Sequence, residues 1–324
     1  MTTPLRLRIA ALHRSIVETV PCDGKANWRE ALHALPFPRA MCVYLNWIAR
    51  MIPARRRKVR CADGFWNDDA CRRRDAVFKL IEKIEAGDDL APHYSGRVEH
   101  KGFALDRYDA DGRLLNHKWR DKDFALNALG VHHLHLGDDV IGEHRSDDIL
   151  FIAFGKDEAV CIMVGGHRHL KEQDLPELEK RVLGASFGIP LAIRGVETSG
   201  GWTPSERIQL ARAGFANSTV VDGQVVMSMP ISTAGTRTTT AHQASRILSA
   251  IRHVDELIDE PPWVAAKFEQ FGIAAPASTD FEWLLDFGTL LLHERSTRTA
   301  FCIVEDRLGM PMRPGPVLLE AKGR

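Results

Sequence analysis

The sequence predicts an α+β fold: a central antiparallel sheet with flanking helices, a helical N-terminal part, and a C-terminal part of helices and hairpins. Three observations carry this. Ile149 to Phe154 and Ala159 to Val164 are apolar runs separated by Gly155, Lys156, Asp157 and Glu158, a hairpin pattern with a glycine in its loop. Asn67 to Glu85 places Val77, Leu80, Ile81 and Ile84 at i, i+3, i+4 and i+7, one face of a helix closed by Gly87. Ser218 to Val221 and Gln224 to Met229 flank Asp222-Gly223, the turn pair of a second hairpin.

The remaining elements follow in order. Leu5 to Val20 carries its apolar residues largely on one helical face. Trp28 to Leu35 is a short helix stopped by Pro36 and Pro38, because proline lacks the N–H a helix interior needs. Arg39 to Ile52 is apolar nearly all round, which predicts a buried helix. Val98 to Tyr108 reads as an edge hairpin, Phe124 to Leu129 as a short helix closed by Gly130, and Val131 to Leu136 as a strand. Leu175 to Leu183 is helical. Thr203-Pro204-Ser205-Glu206 starts a helix running to Gly214, with Thr203 as cap and Glu206 three residues on. Ala241 to Glu260 is a long helix, capped by Thr240 and stopped by Pro261-Pro262. Phe281 to His293 and Thr299 to Val304 form a last hairpin, and Gly309 to Pro316 a proline-rich tail. Changes of composition divide the chain at 1–66, 67–173 and 174–324.

Composition bounds the function. The chain has 324 residues, 44% hydrophobic and 27% charged, with a formal net charge of zero. A neutral chain exerts no global field on nucleic acid or membrane, so such binding must come from a local patch. The six cysteines show no C-x-x-C spacing, which argues against a zinc ribbon. A signal core and a run of eighteen apolar residues are both absent, so the expectation is a cytoplasmic protein that does not bind membranes.

Two patterns carry chemistry. The first is basic: Arg55, Arg56, Arg57, Lys58 and Arg60, followed by Arg72, Arg73 and Arg74, beside Phe65 and Trp66. Arginines bind phosphate and aromatic rings stack bases, so Arg55, Arg56, Arg57, Lys58, Arg60, Arg72 and Arg73 are candidate nucleic-acid contacts. The alternative is a solvated charged face. The second pattern is the histidine-rich stretch from Gly130 to Leu170. On a strand His133 and His135 face one way and His132 the other, because strand side chains alternate. His167 and His169 repeat the H-x-H spacing after the hairpin. Four such imidazoles could hold a transition metal, could bond to backbone within the fold, or could serve acid–base chemistry without metal. In the last case His133, His135, Arg145, His167, Arg168 and His169 supply base, acid and a cation for phosphoryl charge.

The order helix 67–86, loop, strand VHHLHL, hairpin ending GGHRHL resembles the RelE/YoeB-type bacterial toxin ribonucleases over residues 67–170. That resemblance implies Arg145 as the phosphate arginine and His169 or His167 as general acid. The patterns YLNW, from Tyr44 to Trp47, and HHLHLG resemble those of uncharacterised bacterial proteins and imply no activity. The resulting expectation is an RNA-acting protein with a metal-independent endoribonuclease-like site and neither cofactor nor metal. Its partners would be RNA or the ribosome, with a neutralising protein as a further candidate. The alternatives are a non-catalytic nucleic-acid or protein-binding module and, third, a His-metal hydrolase.

Overall fold

In the computed structural model the chain is described at residues 4–22, 26–66, 68–104, 123, 125–137, 147–170, 175–185, 191–193, 202–203, 206, 209–210, 218–221, 224–227, 236–305 and 317–318. Three helices come first, α1 (Pro4–Thr19), α2 (Ala26–His33) and α3 (Phe37–Ile48). Strand β1 (Lys58–Cys61) follows, then α4 (Asp68–Arg72), α5 (Arg74–Ala86) and the single turn α6 (Arg97–His100). A π-type turn at Ala125–Leu129 leads into β2 (His132–His135), β3 (Ile149–Phe154) and β4 (Glu158–Gly165). After a 3-10 turn at His167–Leu170 come α7 (Leu175–Gly184), β5 (Leu191–Ile193), β6 (Ser218–Val221) and β7 (Gln224–Met227). The chain continues with α8 (Thr238–Asp255), α9 (Pro261–Glu269), β8 (Phe281–Asp286), β9 (Thr289–Glu294), β10 (Thr299–Val304) and β11 (Val317–Leu318). This is an α+β fold.

The central sheet has the order β1-β4-β3-β2. The β2–β3 and β3–β4 pairs are antiparallel, as the hairpin pattern predicts. At the other edge β1 lies parallel to β4 and aligns Cys61 with Cys161. Sequence reading missed β1, because four residues of alternating lysine, valine, arginine and cysteine were absorbed into the basic stretch. Side chains alternate between two cores. One face holds Leu134, Leu150, Ile152 and Val164 against Val77, Leu80 and Ile84 of α5. The other holds Ile149, Phe151, Val160, Ile162 and Met163 against Leu178 and Val182 of α7.

One bulge changes the alternation. Phe151 pairs with Met163, but Ile152 pairs with Cys161, so Ile162 is the extra residue. Ile162 and Met163 therefore point to the same face, and Gly165 arrives on that face opposite Ile149. A third core joins both ends of the chain. Leu12, Ile16 and Val17 of α1 and Met41 and Leu45 of α3 pack with Ile247 and Ile251 of α8 and with Trp283, Leu292 and Phe301 of the C-terminal sheet. Arg8 Nε lies 3.0 Å from Asp255 Oδ1, which also accepts from Trp283 Nε1 at 3.2 Å.

Several expectations are corrected. The helix expected over 67–85 breaks at Arg73, giving α4 and α5, and ends at Gly87 in the left-handed region. The stretch begun at Val98 forms α6 rather than an edge strand, and residues 105–108 lie outside the described residues. Helix α8 starts at Thr238 behind Arg237, so Thr240 sits buried inside its first turn instead of capping it. Pro261 and Pro262 open α9, because proline suits a first helical turn whose N–H groups are unpaired anyway. The last hairpin is a meander of three strands, β8 to β10, joined antiparallel, with β11 beside β10. Strand β5, for which no strand was expected, pairs antiparallel with β7. The Thr203–Glu206 cap forms as expected: Thr203 N–H donates to Glu206 Oε2 at 2.8 Å, and Glu206 N–H donates to Thr203 Oγ1 at 3.3 Å. Residues 211–214 and 309–316, which carry parts of other expectations, lie outside the described residues. Among the described residues no helix is long and apolar enough to cross a membrane.

Candidate active site

Strand β2 lies at the sheet edge and sends His133 and His135 to the same face, as alternation requires. His132 goes to the opposite face. There its ring meets Phe154 edge-on at 5.3 Å, and its Nε2–H donates to the Ala49 carbonyl at 3.0 Å. Burial brings His132 down to about 4, so it is a neutral structural residue.

His133 faces Asp123, with Nδ1 3.0 Å from Oδ2. The same carboxylate holds the following turn, since Leu126 N–H donates to Asp123 Oδ1 at 3.1 Å. A helix-start contact therefore positions the acid that meets the histidine. Both side chains are nearly buried, at 12% and 14% exposed. Burial opposes charge on each, and their mutual attraction outweighs it. Asp123 is held far below the usual carboxylate range and His133 is raised above its ordinary value. Each environment favours the charged form, a carboxylate facing an imidazolium.

The 3-10 turn after β4 returns His167 to this pair. Its ring centroid lies 6.3 Å from that of His133 and 5.3 Å from that of His135, whose own ring is 6.3 Å from His133. His167 is about half exposed, and Asp147 Oδ1 is 3.7 Å from its Nδ1. Burial and the positive charge on His133 lower its pKa, and Arg97 acts on it in the same direction. One imidazole is thus favoured protonated and its neighbour favoured neutral.

His135 is buried, and its carbonyl accepts from His93 Nδ1–H at 2.9 Å. Since that nitrogen carries the proton, His93 Nε2 is the acceptor for Lys83 Nζ at 3.1 Å. His169 shares the face but has another role. It is 3% exposed, its ring stands edge-on to Phe151 at 6.2 Å, and its Nδ1 lies 3.1 Å from Gly166 N. A methyl group on Gly165 would come within 2.5 Å of that nitrogen, which explains the glycine. His169 anchors the turn that presents His167. Arg168 points to Asp69 at 3.9 Å, and Arg145 lies outside the described residues.

The candidate nucleic-acid contacts of the basic stretch lie in different surroundings. Arg57 faces inward. It is buried, with donors on the Pro53 and Gly155 carbonyls at 3.0 and 3.1 Å, and its guanidinium lies 5.4 Å from the Phe154 ring centroid. Burial and the Arg55 charge bring its pKa down to about 10. Such a cation is fixed inside the fold. Arg55 pairs with Asp157, while Arg60 reaches Glu158 at 3.8 Å and the Ala185 carbonyl at 3.2 Å. The backbone of Arg56 packs against Gly87, and Lys58 is exposed on β1. Arg72 and Arg73 lie elsewhere, around Asp69 and Asp148.

Sequence reading missed Asp123 and Arg97. The first had a signal, an aspartate three residues before Leu126 at a helix start. The second had none, since α6 is a single turn in a polar stretch. Among the described residues no group of three or more His, Cys, Asp or Glu side chains is arranged to hold a metal ion. In comparisons with known proteins, the chain matches no family model, no curated protein and no solved structure.

Proposed function

We propose that the protein is a metal-independent endoribonuclease that cleaves RNA through the 2′-hydroxyl. The observation that carries this is the His133–Asp123 pair at 3.0 Å with the His167 ring 6.3 Å across from His133. Two imidazoles at this spacing can each hydrogen-bond to an oxygen of one phosphodiester. Their environments push their proton affinities in opposite directions, the usual arrangement of an acid and a base.

In this reading neutral His167 takes the proton from the 2′-hydroxyl, whose oxygen attacks phosphorus. Protonated His133 gives its Nε2 proton to the departing 5′ oxygen. The products are a 2′,3′-cyclic phosphate and a 5′-hydroxyl, and no water enters this step. Asp123 keeps His133 charged and oriented, and Arg97, whose charge acts on both imidazoles, would be the cation for phosphoryl charge. The activity agrees with that implied by the resemblance of residues 67–170 to RelE/YoeB-type toxins. RNA, free or on the ribosome, is then the partner.

The test is single-turnover cleavage of single-stranded RNA in chelator, with circular dichroism as the folding control. We expect His133→Ala and His167→Ala to lose at least about 100-fold, the usual contribution of one general acid or base. Equal cleavage by both variants, or none by the wild-type protein on RNA or ribosomes, would overturn the reading. Cleavage that vanishes in chelator and returns with a transition metal would favour a His-metal hydrolase instead.

A further inference from the structure

The surface beside His167 continues into a ladder of guanidinium and carboxylate groups. Arg168 lies 3.9 Å from Asp69, and Asp69 lies 2.9 Å from Arg72. Arg72 lies 3.8 Å from Asp148, which also pairs with Arg73. The residue before Asp148 is Asp147, the one facing His167. Three guanidinium groups thus share two carboxylates. Their side chains remain 67%, 62% and 47% exposed for Arg168, Arg72 and Arg73.

The ladder ends at an aromatic step. Arg74 opens α5 and lies 5.7 Å from the Trp66 centroid and 5.5 Å from that of Phe78, one helical turn on. The Trp66 and Phe78 rings stack at 5.2 Å with 28° between their planes. These rings are 39% and 40% exposed, whereas neighbouring Phe65 is buried. A stacked aromatic pair held at the surface under an arginine is a platform for a planar ring. Nucleobases stack on such a platform whatever their sequence, and arginines beside it track the phosphates.

We infer that Arg168, Arg72, Arg73, Arg74, Trp66 and Phe78 form a track for single-stranded RNA leading away from the His133–His167 pair. A single strand fits because its bases can turn outward onto the step, while a duplex keeps its bases stacked inside. The aspartates hold the guanidinium groups in place. The inference rests on the endoribonuclease reading for the direction of the track, and its test separates the two.

The test measures affinity for a labelled single-stranded oligoribonucleotide in the His167→Ala background, with cleavage followed separately in proteins that retain His167. Trp66→Ala should weaken binding about 5- to 100-fold, the range for loss of one stacked base, and Trp66→Tyr should restore most of it. Arg72→Ala with Arg168→Ala should lower the slope of log affinity against log salt by about 1.4, at about 0.7 per phosphate contact on a single strand. Unchanged affinity in Trp66→Ala, or equal affinity for duplex and single strand, would overturn the track. If RNA is cleaved with no dependence on Trp66, the track fails and the endoribonuclease reading stands. If RNA binds through Trp66 and is never cleaved, the track stands and that reading fails.

Discussion

In the proposed mechanism Asp123 is the residue on which the chemistry turns, because its charge favours the protonated form of His133. His167 must be neutral to act, so the rate should fall as pH drops through its lowered pKa. His133 must be protonated, so the rate should fall as pH rises through its raised pKa. The pH–rate profile should be a bell with its plateau between the two. Asp123→Asn removes the charge that raises His133, so the alkaline limb should move to lower pH. A profile unmoved by Asp123→Asn would remove the aspartate from the mechanism. Glu294 shows the same physics in a structural setting. It is fully buried, accepts from Asp280 N–H, Thr297 N–H and the Thr297 and Ser296 hydroxyls, and its pKa is pulled down to about 2. A depressed carboxylate contributes stability above its unfolded pKa and loses it as pH falls towards the folded value. The melting temperature should therefore drop between about pH 4.5 and pH 2. Glu294→Gln should be less stable at neutral pH and should show a shallower drop over that window.

At the scale of elements, the strongest periodic signals were readable. The β3–β4 hairpin, α5 with its Gly87 stop and the β6–β7 pair all appear where expected, because each buries a regular apolar face or uses dedicated turn residues. Facing of His133 and His135 was legible too, since it needs only strand alternation. The Ile162 bulge was not legible, because Cys-Ile-Met-Val reads as a uniform apolar run whichever residue is extra. That bulge sets the face on which Gly165 lies, so the separate fates of His167 and His169 could not be read from their spacing. Parallel β1 was hidden for a different reason: its partner β4 lies a hundred residues further on. Gly87 offers a test of element ends. It has φ of 81°, and an added methyl group would sit 2.6 Å from Arg56 N and 2.8 Å from Arg55 C. Gly87→Ala should cost more than the roughly 1 kcal/mol of a left-handed alanine alone, because the neighbour in the way is backbone. Urea unfolding would measure it, and a change under about 0.5 kcal/mol, the usual span for neutral surface sites, would contradict the close approach.

At the scale of the molecule, the N-terminal helices and the C-terminal sheet behave as one body. Asp255 is the joint: its side chain is fully buried and meets both Arg8 and Trp283. Arg8→Ala leaves that carboxylate without its cation, and because the pair is only partly buried the loss should fall below the roughly 3–5 kcal/mol of a fully buried pair broken from one side. Replacing both partners, Arg8→Met with Asp255→Leu, should recover much of the loss. Chemical denaturation of the two variants checks this. Equal destabilisation by Arg8→Ala and the double variant would show that the pair is not the joint.

The shared terminal core also sets a birth order for the protein. Arg8 and Asp255 stand 247 residues apart in sequence. At about 5–20 residues per second of synthesis, Arg8 of α1 waits on the order of 10–50 seconds for the aspartate it pairs with. The sheet that carries His133 and His167 needs only residues up to the turn after β4, so it can close while α1 is still waiting. Throughout that interval the apolar face of Leu12, Ile16 and Val17 is covered only in part, by α2 and α3, and its remaining apolar surface waits for the C-terminal sheet, which marks this helical hairpin as a place for a chaperone to hold the newborn chain.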